Sequence, residues 1–131
     1  MRGHAFLTGF FLLISNAAYA DALETCYGQA SNSTAVDECL TRYLKGAEKR
    51  MHAAFNITMQ KSEIYDHQHE GSIARSTVID AQKGWEQYTY SKCELTRIYS
   101  GSGDGSKHFQ LACLIDEHDK RTLELEGLNS F

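Results

Sequence analysis

Four cysteines, Cys26, Cys39, Cys93 and Cys113, are the side chains of this sequence with the most definite chemistry. An even number of thiols can close two disulfides, and the absence of any Cys-x-x-Cys spacing argues against a zinc centre. Bridges between sequence neighbours would join Cys26 to Cys39 and Cys93 to Cys113, although four cysteines allow three connectivities. A second cluster, Asp66-His67-Gln68-His69-Glu70, gathers potential metal ligands, with His52 upstream as a further one. His-x-His among carboxylates is more often a solvated loop, so no metal or other cofactor is assigned. No nucleophile elbow, HExxH, P-loop or GxGxxG occurs, and paired cysteines leave no thiolate to attack a substrate, so an enzyme is not expected.

The compartment supports the disulfide reading. Arg2 is the only charged side chain before the apolar run Ala5 to Ile14, and Ala18-Tyr19-Ala20 supplies the small residues a signal peptidase reads. The expectation is a signal peptide over residues 1–20, cut after Ala20, and a single domain over 21–131 in the periplasm or outside the cell. Thiols oxidise readily there. The apolar run is too short to span a bilayer and no later run approaches the roughly 18 residues required, so membrane insertion is not expected. The 131 residues carry a formal charge of −4. Losing Arg2 leaves 12 basic against 17 acidic residues, a mature charge of −5. With no Lys/Arg run, a nucleic-acid partner is excluded, since phosphate binding needs a basic face.

The elements that must position these residues read as helices. There is no proline in the chain, so long helices can run without losing a backbone donor. Thr34 followed by Asp37 resembles a capping box, and Val36, Leu40, Tyr43, Leu44, Ala47, Met51, Ala54 and Phe55 recur at spacings of three and four, predicting a helix from Thr34 to about Lys61. A second helix is predicted from near Ser72 to near Tyr99, with Trp85 and Tyr88 three apart and both expected in the core. Three glycines within the Ser100–Gly105 stretch place a loop there. A third helix is predicted from about Ser106 to Glu126, with Gly127 as its stop. The expected fold is therefore all-α, an antiparallel helical hairpin plus a third helix forming a three-helix bundle, with residues 62–71 as the hairpin connection. In that order Cys39, Cys93 and Cys113 fall near one pole, beside the glycine loop. The geometry also brings Cys39 near Cys93, which keeps the connectivity open. Gln82 and Arg121 fit either a buried polar pair or the surface.

Ala81-Gln82-x-x-Trp85-x-x-Tyr88-x-x-x-x-Cys93, followed by the Gly-Ser loop and then Cys113, Arg121 and Leu125, resembles the LprI-type lysozyme inhibitor family. The upstream half departs from the family pattern: Glu48, Met51-His52 and Phe55 stand where an Asp, Leu-Asn and a Tyr are usual, and Thr89 where an Arg is usual. The resemblance implies a small, exported, disulfide-stapled helical protein that binds and inhibits lysozyme. Animal lysozymes are strongly cationic, so an acidic partner gains association rate. Ser102 and Asp104 are the expected contacts, with Asp116, Glu117 and Asp119 as a supporting acidic surface. Two other functions fit the same features. One is a periplasmic interaction or immunity module that neutralises another exported toxin or envelope enzyme; the other is a small metal-binding envelope protein using His67 and His69.

Overall fold

Without proline to remove a donor, the backbone closes its hydrogen bonds in long helices, and the computed structural model contains, among the described residues, α1 (Ala18–Gln29), α2 (Ser33–Gln68), α3 (Ala74–Tyr99) and α4 (Asp104–Leu128). The structure describes residues 18–130. Residues 1–17, most of the expected signal segment, lie outside the described residues, and the expected cut after Ala20 falls within α1. At 1.5 Å per residue, the 36 residues of α2 span about 54 Å, and the other helices pack along it.

The bundle has four helices rather than the expected three. α1 is the added one, and its 12 residues are too few to hold a helix on propensity alone. Tertiary burial supplies what propensity lacks: Ala22 and Cys26, one turn apart, enter a core with Val36, Cys39, Leu40, Ala47 and Ile115. A second core lies further along α2, where Met51, Ala54 and Leu125 are buried and Phe55 and Trp85 pack against them. α1 therefore covers the half of the α2/α4 pair near the loop, and α3 runs antiparallel to α4 along most of its length, from Glu94 with Gln110 through Cys93 with Cys113 and Lys92 with Glu117 to Gln82 with Arg121.

Helix boundaries move by identifiable causes. Asn32 caps α2, its Oδ1 accepting from Ala35 N at 2.9 Å, whereas the expected capping partner Asp37 is drawn to Lys107 and His108 of α4. α2 also continues past Lys61 to Gln68, which shortens the hairpin connection to residues 69–73. Asp66 explains the compactness of that connection. Ile73, at the N-cap of α3, has no side-chain acceptor, and the Asp66 carboxylate substitutes for one by accepting from Ala74 N at 2.8 Å, Arg75 N at 2.9 Å and Ser72 Oγ. These bonds hold its carboxyl below the ordinary carboxylate value, the Ser72 hydroxyl contributing most. α4 begins two residues before the expected Ser106 and passes through Gly127 to Leu128.

Both disulfides join the sequence neighbours: Cys26 to Cys39 with Cα atoms 5.7 Å apart, and Cys93 to Cys113 at 5.5 Å. Trp85 packs against the second core as expected, but Tyr88 is 62% exposed. Three residues turn a helix by about 300°, which leaves Tyr88 roughly 60° from Trp85 and clear of the narrow strip that α3 buries.

Candidate functional site

The pole where α2 begins, α3 ends and α4 begins carries the short connection from Ser100 to Gly103. Each end is closed locally. Ser100 N and Oγ both donate to Thr96 O, at 3.1 and 2.6 Å, Gly101 N donates to Ile98 O at 3.3 Å, and Ser106 Oγ donates to Gly103 O at 2.7 Å. Gly101 and Gly103 adopt φ of 91° and 118°, in the left-handed region that side chains disfavour, so glycine is required at both. Seven residues before Ser100, Cys93 is bonded to Cys113, and the turn is thus held covalently from behind.

On this support the outward side chains are unusually apolar and aromatic. Tyr99 is 83% exposed, with Ile98 and Leu95 about half exposed beside it. Ser102 is exposed in the connection, and Asp104 is exposed as the first residue of α4, where its carboxylate complements the helix dipole. Ser102 and Asp104, expected from sequence as contacts, therefore stand on the same short turn; Tyr99, Ile98 and Leu95 join them although sequence reasoning missed them. Their signal was present in the composition, because Tyr99-Ser100-Gly101-Ser102-Gly103-Asp104 has the Tyr, Ser and Gly content that adaptable protein-binding loops use.

A second network braces the pole from the other side. His108, 3% exposed on α4, accepts from the Tyr27 hydroxyl of α1 at its Nδ1, 2.7 Å away, if the imidazole proton is assigned to Nε2. Nε2 then faces Asp37 Oδ1 at 3.3 Å and Ser33 Oγ at 3.5 Å, both on α2. Lys107 pairs with the other oxygen of Asp37. One imidazole thus links three helices immediately below Asp104.

The acidic residues expected to support the contact surface lie along α4, away from the turn, and each engages a cation. Asp116 pairs with Lys120, and Asp119 with Arg50 of α2 at 2.7 Å. Glu117 is 7% exposed and directed at Lys92 of α3, 2.7 Å away, with Lys120 at 3.4 Å. Burial pulls the Glu117 carboxyl upward, but the two ammonium groups outweigh it and hold the group below its ordinary value. Asp116 in turn raises Lys120.

The histidine segment has a different outcome. Asp66 is committed to capping α3, His69 stacks on Tyr65 with centroids 3.9 Å apart, and His52 lies fifteen residues before His67 on α2, about 22 Å along the axis. His52 is thus not near His67 and His69 as expected. No group of three His, Cys, Asp or Glu placed to hold a metal ion occurs among the described residues.

Gln82 and Arg121 are joined. Gln82 is 5% exposed and its Oε1 accepts from Arg121 Nε at 3.1 Å, while the guanidinium lies 5.8 Å from the Trp85 ring. The tryptophan motif therefore meets the Arg121–Leu125 motif across the α3/α4 interface. Those are the residues on which the family resemblance rests, and the sequence model of the lysozyme inhibitor LprI family matches residues 26–125, from the first cysteine to Leu125. The chain belongs to this family of lysozyme inhibitors. No curated protein and no solved structure matches it. Among the described residues no helix is long and apolar enough to cross a membrane.

Proposed function

We propose that this chain is exported to the periplasm, binds a cationic lysozyme and blocks its hydrolysis of peptidoglycan, with the Tyr99–Asp104 turn as the principal contact. The family match over residues 26–125 carries this reading. The geometry adds a physical route. Tyrosine gives a large contact area for two torsions' worth of lost freedom, and a turn closed at both ends and tied at Cys93–Cys113 loses little further entropy on binding. Ser102 and Asp104 supply hydrogen-bond and charge contacts, and the net negative charge of the chain accelerates encounter with a basic enzyme. Asp116 and Asp119, already paired, contribute through the bundle that holds the turn.

The test is a lytic assay on isolated cell walls with purified residues 21–131 titrated against several animal lysozymes. Stoichiometric inhibition is expected, weakened about tenfold or more by Tyr99→Ala and by Asp104→Ala, since a central aromatic or charged contact is worth 1–2 kcal/mol or more, on the order of a hot spot. Full lysozyme activity at large inhibitor excess overturns the proposal.

A further inference from the structure

At the pole opposite the turn, two adjoining hollows of about 480 and 420 Å³ open between the start of α3, the end of α4 and the end of α2. Ala74, Val78 and Leu128 border both, Ile73 extends the apolar wall of the larger one, and the buried Leu125 lies beneath it. Volumes of this size are those of small-ligand sites, and the apolar rim is conspicuously wet: Ile73 is 69% exposed and Leu128 54%. The charge along the walls is one-sided. Arg121 lines the first hollow and Lys61 the second, and no carboxylate lines either, in a chain whose formal charge is −4. Arg121 is also positioned rather than free to swing, held through Nε by Gln82 and at NH1 by the exposed Glu124. Lys61 is fixed by the Asn129 carbonyl.

We infer that this trough binds a single-chain anionic amphiphile, its acyl chain along Ile73, Val78 and Leu128 and its carboxylate or phosphate head at Arg121 or Lys61. An apolar floor alone would accept any greasy chain; Lys61, held by a carbonyl, and Arg121, whose carboxylate partner Glu124 is solvent-exposed and displaceable, select an anionic head, because a neutral head recovers none of that Coulomb energy. A free fatty acid and a phosphate-headed lipid share this chemistry. The site lies at the far end of the bundle from the turn and does not depend on lysozyme binding.

Trp85, the one tryptophan of the chain, reports on the site, since Arg121 lies against its ring. The experiment titrates the purified protein with laurate, dodecyl phosphate and dodecyl maltoside below their micelle-forming concentrations, reading Trp85 emission and, by native mass spectrometry, stoichiometry. A saturable emission change at one ligand per chain is expected for laurate, for dodecyl phosphate or for both, the preferred head distinguishing the two sources, with the maltoside about tenfold weaker. Ile73→Asp, an exposed rim position where folding is not at stake, abolishes the change, and Val78→Phe, which obstructs the two hollows where they adjoin, weakens it at least about tenfold where circular dichroism shows it folded. No saturable change, equal affinity for the maltoside, or a concentration-dependent dimer that Ile73→Asp dissolves would each overturn the inference.

Discussion

Glu117 sits on α4 with its carboxylate turned to α3, where Lys92 waits 2.7 Å away. A charge-assisted bond of this kind, with the acid buried, contributes more than an exposed pair. Glu117→Gln is expected to lower stability by about 1–2 kcal/mol at neutral pH, measured by urea unfolding. Because the folded-state carboxyl is held below its ordinary value of 4.5, that contribution is present above pH 4.5 and fades as pH falls through the lowered folded value. The gap between wild type and variant should therefore close on acidification. Asp66 acts on backbone instead of on a cation. Asp66→Ala leaves the Ala74 and Arg75 amides without their acceptor, and faster hydrogen exchange at the first turn of α3, together with a lower Tm, is expected. Neither role could be read from the sequence. Glu117 lies 25 positions from Lys92, and the Asp66 carboxylate looked like a metal ligand until the fold brought it over an uncapped helix start.

Long amphipathic helices were legible because spacings of three and four persist over many turns of α2 and because the glycine run cannot continue a helix. Cysteine proximity likewise favoured the two bridges that form. α1 was not legible: its burial depends on Ile115 and Val36, contacts that only the folded bundle supplies. The Tyr27–His108 bond, 81 residues apart, was hidden for the same reason. The two staples differ in what they hold. Replacing Cys93 and Cys113 by serine is expected to cost about 3 kcal/mol and to weaken lysozyme inhibition markedly, because the turn between α3 and α4 loses its covalent backing. Replacing Cys26 and Cys39 should cost a comparable amount of stability, about 3 kcal/mol, while leaving inhibition close to wild type under conditions where both proteins stay folded. Chemical denaturation and the lytic assay, run side by side, separate the two effects.

For the molecule as a whole, net charge governs how fast it meets a basic partner, and contact quality governs how long it stays. The association rate with a cationic lysozyme is expected to fall by about tenfold as the Debye length shrinks from about 30 Å at 0.01 M salt to about 8 Å at 0.15 M, with the dissociation rate nearly constant. Stopped-flow measurement across that range checks it; a salt-independent association rate would remove the steering argument. The bundle also has a covalent topology with two different kinds of weak point. α1 with α2, and α3 with α4, are each closed by their own disulfide, and a single stretch of backbone, residues 69–73, joins the two pairs. A protease that cuts this stretch releases two hairpin fragments that only the shared core can reassemble. A cut between Gly101 and Gly103 releases nothing, because both new ends remain tethered through Cys93–Cys113. The exposed Ser100–Gly103 turn is thus, like the connection between α1 and α2, a place where this molecule can be nicked and remain in one piece.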